Sequence, residues 1–286
     1  MDDLTGKIIS NYQILEKIGE GSHGVVYKAT NPTLNHEVVV KVLASDHVKD
    51  PEIFKRFESE ADVIAHLNGH PNIIPIYDYW ADENGAYLVL KYLDGGTLRD
   101  LLNQHGALSL TQATYLLDKV ASALHAAHSA GIVHRDLKPA NIMFDTEGLV
   151  YLGDFGIAKR PDLKLTAPGT VLGTPAYLAP EQILAEQVTF RTDIYSLGIM
   201  LYECLTGQRP FRAKMAGQVM MQHLNNPVPH VQFDEPELST RVNAVIQKAT
   251  AKAPQDRYDS VLDMAGDFRR AIARQRQRTP PPDENR

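Results

Sequence analysis

The sequence has little of what marks secreted, membrane-spanning or nucleic-acid-binding proteins. Its 286 residues include one cysteine, Cys204, so an internal disulfide is excluded and a reducing compartment suits the composition. The net charge of -6 gives no reason to expect nucleic acid as a partner. The acidic start lacks the apolar core of a signal peptide, and the longest apolar stretch, Tyr195–Leu205, is too short to span a bilayer. These absences predict a globular protein located in the cytoplasm.

The pattern of apolar residues changes at the segment DGGT, Asp94–Thr97. Before it, short alternating stretches predict strands joined by turns, together with one helix that is opened by Pro51. After it, long helical patterns dominate, the first with Ser109 as its predicted N-cap, and a short β patch is expected at Ile132–Gly156. The sequence therefore predicts a small β-rich lobe and a larger helical lobe with a cleft between them.

The segment GEGSHG, Gly19–Gly24, fits the glycine spacing G-x-G-x-x-G. On this motif alone, an ordinary glycine-rich hairpin is an equally good interpretation. The residues VVYKAT that follow predict a strand, whereas a dinucleotide-binding glycine motif is followed by a helix. A glycine loop between two strands can fold over phosphates and donate backbone N–H groups to them, and Val26 would then face the base.

Lys41 lies in the apolar run VVVKVL, where alternation gives it the same face as Val39. One interpretation is an edge lysine that extends to solvent. Downstream, however, helical spacing places Glu60 beside an apolar stripe, and a carboxylate that faces a core needs a cation. We therefore expect Lys41 and Glu60 to form an ion pair.

The segment HRDLKPANIMF, which begins at His134, sets an acid, two bases and an amide between apolar stretches. Buried charges are costly unless they are paired or bind a metal. Asp136 and Asn141 must be brought together by a loop, and with Asp154 of LGDFGIAK they offer the oxygen ligands that Mg²⁺ takes beside phosphate oxygens. A structural salt-bridge cluster with the two basic side chains is the alternative.

Taken in chain order, these motifs resemble those of the eukaryotic-type protein kinases. The glycine loop, VVVK, HRDLKPAN, DFG at Asp154–Gly156 and APE at Ala179–Glu181 occur in the order of that family. The resemblance covers about residues 12–272. The lysine in HRDLKPAN is typical of the serine/threonine branch, and the short spacing between motifs is typical of bacterial members. The implied fold class is α+β, a bilobal protein kinase-like fold with one regulatory helix in the small lobe.

The resemblance divides the chain into three regions. Residues 1–92 would form the N-lobe and residues 93–272 the C-lobe. Residues 273–286 form a polar, proline-rich tail that is predicted to be disordered. A membrane would be reached only through a region that is not present in this chain, as in bacterial receptor-type kinases.

The resemblance also implies roles for the motif residues, with ATP as the cofactor and Mg²⁺, or Mn²⁺ in its place, as the metal. Asp136 would accept or orient the proton of the substrate hydroxyl, and Lys138 would neutralise charge near the γ-phosphate. Asn141 and Asp154 would hold the metal. The nucleotide-binding residues would be Gly19, Gly21 and Gly24 over the phosphates, Lys41 (held by Glu60) on the α- and β-phosphates, Val26, Val39 and Met143 around the adenine, Leu90 as gatekeeper, and the backbone of Lys91 and Leu93 at the adenine edge.

Three structural contacts are implied as well. His134 would pack against Phe155. Asp193 would bond the backbone of the HRD segment, with a plain N-cap as the alternative. The last residue of APE, a glutamate, would form a buried salt bridge with Arg257.

Three positions depart from the family pattern. Val39 stands where the family usually has alanine and should tighten the adenine slot. Lys91 stands where an acidic residue is common, and little effect is expected because the backbone binds there. Gly153, before DFG, is expected to add backbone freedom.

Regulation is suggested by the residue that precedes Asp136. This residue is Arg135, as in kinases that are activated by phosphorylation of the segment between DFG and APE. Thr166 and Thr170 lie in that segment, and a phosphate added there by another copy of the enzyme could pair with Arg135. Ordinary loop threonines are the alternative. Thr174 is assigned to the active site, where the family uses this hydroxyl to bond the catalytic residues.

The implied activity is ATP-dependent phosphorylation of Ser and Thr hydroxyls in protein substrates. A pseudokinase-type binding module is the alternative, but it is disfavoured because Lys41, Asp136, Asn141 and Asp154 are all present. A small-molecule kinase is a second alternative, which would be expected to lack the segment GTPAYLAPE, Gly173–Glu181.

Overall fold

The structure is a computed structural model of the chain. It describes residues 3–21, 24–33, 36–43, 51–82, 85–155 and 175–276, and for residues 51–56, 60 and 274–276 it describes the backbone alone. Within these ranges, an antiparallel sheet carrying one helix is followed by a mainly helical part, as the alternation and the helical periodicity predicted.

The sheet has six strands in the order β1-β2-β3-β4-β6-β5 within the described ranges, and each neighbouring pair is antiparallel. Its strands are β1 (Ile8–Ile9), β2 (Tyr12–Gly21), β3 (Gly24–Asn31), β4 (His36–Leu43), β5 (Ile76–Asp82) and β6 (Gly85–Lys91). Strand β4 buries Val38, Val40 and Val42 on one face, as the alternation predicted. Lys41 and Val39 therefore share the opposite face, which looks toward the helical part.

Helix α1 (Pro51–Ala65) packs against β5. Its described apolar stripe is buried, with Phe57, Ala61 and Ile64 each less than 5% exposed. This stripe has the i, i+4, i+7 spacing that places residues on one face of a helix, which confirms the amphipathic helix predicted there.

The second part of the chain is helical and is built around a central helix. Its helices are α2 (Leu98–His105), α3 (Leu110–Ser129), α4 (Pro180–Ile183), α5 (Phe190–Thr206), α6 (Ala216–Asn225), α7 (Pro236–Ala249) and α8 (Val261–Arg276). Helix α5 is buried along most of its length and contacts α3 and α7. Ser109 caps α3, as predicted, through the bond that its hydroxyl accepts from the backbone N–H of Gln112. In the described residues, no helix is long and apolar enough to cross a membrane.

Two local expectations were wrong. The β patch expected at Ile132–Gly156 is smaller, because only β7 (Ile142–Phe144) and β8 (Val150–Leu152) pair, and the charged segment before them is a loop that bonds to side chains. The start of the tail was predicted too early, at residue 273. Helix α8 continues to Arg276 through residues of good helix propensity. Residues 277–286 lie outside the described part of the chain.

Candidate active site

Lys41 joins the sheet to the helical part. Its Nζ lies 2.6 Å from Oδ1 of Asp154, which follows β8. Asp154 has φ 54, in the left-handed region that non-glycine residues rarely adopt, so its backbone is held in a strained turn. Neighbouring protein atoms desolvate part of this half-exposed carboxyl group and oppose its ionisation, but the Lys41 ammonium outweighs that effect and holds the pKa of Asp154 below its usual value. The result is a charged pair that spans the cleft.

Asp136, Lys138 and Asn141 meet on one loop. A single turn of 3₁₀ helix at Pro139–Asn141 brings the asparagine back toward the aspartate, as the sequence required. Nδ2 of Asn141 donates to the backbone oxygen of Asp136 at 2.8 Å and to its Oδ2 at 3.3 Å. Nζ of Lys138 lies 2.8 Å from the same Oδ2. The Asp136 carboxylate is thus oriented by an amide and neutralised by an ammonium.

The backbone of this loop is fixed by Asp193 in α5. The Asp193 carboxylate is 1% exposed and accepts the backbone N–H groups of His134, at 2.8 Å, and Arg135, at 2.9 Å. It also bonds Nε2 of His128 at 2.7 Å. The predicted anchoring role is confirmed, and the N-cap alternative is wrong because Thr189 caps α5. No sequence motif pointed to the contribution of His128.

His134 packs in the interior against Phe155, as predicted, with ring centroids 4.8 Å apart. Burial lowers the pKa of His134, so the ring is neutral. Nε2 lies 2.9 Å from the backbone oxygen of Gly153, and Nδ1 accepts the backbone N–H of Asp136 at 3.3 Å. These partners fix the tautomer with the proton on Nε2, and through it the ring links the HRD loop to the DFG segment.

Gly153 allows a close contact with a neighbouring side chain. Its φ lies outside the left-handed region, so the described conformation does not itself require glycine, and the added backbone freedom stays a prediction. A Cβ at this position would collide with Cε of Met143 and lie 3.2 Å from Cγ2 of Ile74. The glycine therefore lets Met143 pack against the backbone just before Asp154.

Three of the residues predicted to surround a nucleotide base share one face of the sheet with Lys41. Val26 pairs with Lys41 across β3 and β4, and Val39 pairs with Leu90 across β4 and β6. Direct cross-strand neighbours lie on the same face, so all four side chains line the same wall. Met143 approaches from β7, and Leu93 packs against the core beyond the end of β6.

The glycine motif forms the tight hairpin between β2 and β3. Gly19 pairs with Val26, and Gly21 pairs with Gly24, while residues 22–23 lie outside the described part. Gly24 has φ +130, and a Cβ there would collide with the backbone oxygen of Val42. Glycine is thus required at this position by the fold itself, because β4 passes directly against it.

Lys91 makes a contact that the sequence did not predict. Its Nζ donates to the hydroxyl of Tyr151 at 3.0 Å and lies 4.7 Å from the centre of that ring. The Tyr151 hydroxyl in turn donates to Oδ2 of Asp145 at 3.2 Å. The side chain that was expected to have little effect therefore ties β6 to the β7–β8 hairpin.

Glu181 and Arg257 form the buried salt bridge that was predicted. NH1 and NH2 of the arginine lie 2.7 and 2.8 Å from the two carboxylate oxygens, and the side chains are 2% and 0% exposed. Thr192 donates a further bond of 2.7 Å to Glu181. Burial raises the pKa of this carboxyl group, but the bonds from Arg257 outweigh burial and lower it overall.

Several predicted residues lie outside the described residues. They are Gly156, Thr166, Thr170, Thr174 and the side chain of Glu60. The predicted Lys41–Glu60 pair therefore stays a prediction.

Asn141 and Asp154 have the donor atoms that a hard divalent cation requires. The amide nitrogen of Asn141 is committed to Asp136, which leaves the amide oxygen as the atom able to coordinate a metal. Among the described residues, no group of three or more His, Cys, Asp or Glu side chains is arranged to hold a metal ion. A cation here would complete its shell with water or phosphate oxygens, which suits Mg²⁺.

The comparisons with known proteins agree with this geometry. The chain is similar to the serine/threonine-protein kinases PknH of Mycobacterium bovis (37% identical over 92% of this chain and 44% of that protein) and PrkC of Bacillus subtilis (39%, over 94% and 42%). It therefore spans less than half the length of these relatives. A crystal structure of the Mycobacterium tuberculosis PknI kinase domain matches with a TM-score of 0.75 and 26% identity, over 94% of this chain and 98% of that one.

The similarity extends over the sheet, the cleft and the helical part alike. The family model described as the protein kinase domain matches residues 12–265, which include every described motif that resembled the family. Because that match covers far more than half of the sequence, the chain belongs to the protein kinase family.

Proposed function

We propose that the chain is an active protein kinase that transfers the γ-phosphate of ATP to serine and threonine hydroxyls of proteins. Its family implies ATP, a divalent cation and protein substrates. The observation that carries the proposal is the arrangement of Asp136, Lys138 and Asn141 on one anchored loop, across the cleft from Lys41 and Asp154.

In this proposal Asp136 orients the substrate hydroxyl and accepts its proton. Phosphoryl transfer needs little covalent help, so the protein contributes mainly positioning and charge neutralisation. Asn141 holds the carboxylate in place, and the Lys138 ammonium beside it stabilises charge on the transferred group. Asp193 supports this geometry because it holds the loop backbone through two N–H bonds.

The nucleotide is assigned to the wall formed by the sheet. Lys41 would bind the α- and β-phosphates, and Asn141 and Asp154 would hold Mg²⁺, or Mn²⁺ in its place, which neutralises phosphate charge when bound. The glycine hairpin would cover the phosphates. The adenine would lie among Val26, Val39, Leu90 and Met143, against the backbone of Lys91 and Leu93.

The lobe boundaries are also part of the proposal. Residues 1–92 are assigned to the N-lobe and residues 93–272 to the C-lobe, with α8 extending the latter to residue 276. The change from sheet to helix between β6 and α2 supports this division. We place the active protein in the cytoplasm because the reaction consumes ATP.

Activation by autophosphorylation remains a prediction about Thr166 and Thr170. A phosphate on either residue adds negative charge that could pair with Arg135 and order the segment. Mass spectrometry after incubation with Mg-ATP should find phosphate on one or both, and the Thr166→Ala, Thr170→Ala double variant should be less active. Absence of phosphate from both, or full activity of the double variant, would contradict this mode of regulation.

Transfer of radiolabelled phosphate from Mg-ATP to a protein substrate, or to the chain itself, tests the main proposal. Lys41→Met should abolish transfer and leave the melting temperature close to that of the wild type. Lys17→Met, which removes an exposed lysine of β2, is the matched control and should retain transfer. Nucleotide binding without transfer to any protein would favour the binding-module alternative.

A further inference from the structure

A cavity of about 530 Å³ opens on the helical part of the molecule. It lies between α2, the segment Pro175–Tyr177, the end of α5 and the loop that leads to α6. Four charged side chains line it, namely Arg99, Glu203, Arg209 and Arg212. Their number and pairing decide what the cavity can bind.

The only acidic group in this lining, Glu203, is already occupied. It is 2% exposed, and its two carboxylate oxygens accept bonds of 2.9 and 3.1 Å from Arg99. The hydroxyl of Tyr177 donates to the same carboxylate, and burial next to Glu203 raises the pKa of this hydroxyl well above its usual value. Glu203 therefore supports the arginine and is not available to attract a basic ligand.

The cavity lining carries more positive than negative charge. Nε of Arg209 lies 3.6 Å from Glu203, a looser contact to a carboxylate that Arg99 already neutralises. Arg212 is exposed, and no acidic side chain in the described ranges forms an ion pair with it. Three arginines against one glutamate leave the cavity with a surplus of two positive charges.

The cavity lies beside a segment that is connected to the loop of Asp136. Pro175 and Ala176 line it, and they belong to the segment that ends in α4. From α4, Nε2 of Gln182 donates to the backbone oxygen of Arg135 at 2.9 Å, directly before Asp136. The wall of the cavity and the loop that carries Asp136 are thus parts of one hydrogen-bonded unit.

We propose that this cavity binds an anionic side chain of the protein substrate and so selects acceptor sites with an acidic or phosphorylated residue nearby. The proposal rests on the proposed kinase function. Arginine is suited to this task because its planar group binds carboxylate and phosphate oxygens with paired hydrogen bonds. Arg212 and Arg209 would contact the ligand, while Arg99, held by Glu203, would form the floor.

A series of peptides tests the selectivity. Each peptide has one acceptor threonine and a single Asp, phosphothreonine, Ala or Lys, which is scanned through the flanking positions. At one position, Asp and phosphothreonine should lower KM about tenfold relative to Lys, since a charge-assisted bond is worth roughly 1.5 kcal/mol or more. The value of kcat should stay unchanged, because the contact is made equally in the ground state and the transition state. The advantage should shrink at high salt. A stronger effect of phosphothreonine than of Asp would identify a phosphorylated residue as the preferred ligand.

Arg212→Glu should remove the preference, with little effect on the melting temperature because the side chain is exposed. Lys214→Glu is the matched control. It makes the same charge change two residues away, outside the cavity lining, and should keep the preference. The inference is wrong if Asp is no better than Lys at any position, or if the two variants behave alike.

A binding measurement separates this inference from the proposed function. Fluorescently labelled Asp and Lys peptides are titrated with the Asp136→Asn protein, which binds without needing to transfer phosphate. Tighter binding of the Asp peptide, lost in the Arg212→Glu background, supports the cavity assignment even if no substrate is phosphorylated. Equal binding of the two peptides overturns it, whereas a complete lack of transfer by the wild type overturns only the kinase proposal.

Discussion

Two groups of carboxylates in this molecule have opposite surroundings. Glu181 and Asp193 in the helical part are at most 2% exposed, and each accepts several bonds from groups distant in the chain. Asp136 and Asp154 line the cleft with side chains 18% and 41% exposed. Each of the latter is paired with a lysine on one side and still open to solvent on another.

The difference in exposure separates carboxylates that hold the backbone in place from carboxylates that can take part in a reaction. A fully bonded, buried carboxylate is costly to disturb and has no room for a ligand, so it fixes the backbone. A carboxylate that is oriented yet partly open can take up a proton or coordinate a cation. Substitutions in the first group should therefore affect stability, and those in the second should affect catalysis.

The largest effect is expected for Arg257→Ala. This change leaves the buried Glu181 carboxylate without its partner and also removes bonds to the backbone oxygens of Arg191 and Ala251. The free energy of unfolding should fall by about 3–5 kcal/mol. Urea unfolding, followed by the fluorescence of Trp80, the only tryptophan, measures it.

Arg269→Ala is the control for that experiment. It removes an arginine whose side chain is 53% exposed and pairs with Asp118 at the surface. Its effect should be within about 1 kcal/mol. Equal stability of the Arg257→Ala protein and the wild type would show that the buried pair does not brace the fold.

Asp136→Asn should produce the opposite result. The value of kcat should fall on the order of 100-fold or more, by analogy with the loss of one preorganised electrostatic group. The melting temperature should change little, because the amide keeps the shape and can still accept a bond from Lys138. Transfer near the wild-type rate would refute the role given to Asp136.

His223 extends the comparison to pH. It is fully buried and bonded to the Tyr195 hydroxyl at 3.0 Å, and burial, with Lys252 nearby, lowers its pKa to about 4. In the unfolded chain, the ring of this histidine takes up a proton near pH 6.5. The stability that the neutral, buried ring contributes is therefore present in full above that pH and is lost as the pH falls toward 4. The wild type should lose on the order of 1–3 kcal/mol more than His223→Gln over this range.

The control for this pH series is His230→Gln, which changes an exposed histidine. Its pH profile should follow that of the wild type. If His223→Gln and the wild type lose stability in parallel between pH 7 and pH 4, the buried histidine is not the group responsible.

The smallest effect is expected for Asp259→Asn. Asp259 lies 2.6 Å from Arg191, as close as the buried pair, but its side chain is 87% exposed. Solvent screens such a pair, so the free energy of unfolding should change by less than about 1 kcal/mol. A loss comparable to that of Arg257→Ala would mean that distance, and not burial, decides the value of these ion pairs.

The sequence by itself determined the local structure and the chemistry of the motifs. The alternation around Lys41, the stripe of α1 and the cap at Ser109 all depend on residues a few positions apart, and each was confirmed. The motif residues on the HRD loop and in DFG could be named for the same reason, because their spacing along the chain carries the signal.

The family resemblance implied that Glu181 meets Arg257, but only the tertiary structure decided the partners of Lys41 and Glu203. Lys41 and Asp154 are 113 residues apart, and the sequence pattern pointed to Glu60 as the lysine's partner without indicating Asp154. The pairing of Arg99 with Glu203 was missed, although an acid inside the apolar helix α5 was a signal that a cation must lie nearby. Partners of this kind follow from how distant elements pack, and packing is a property of the whole fold that no local pattern encodes.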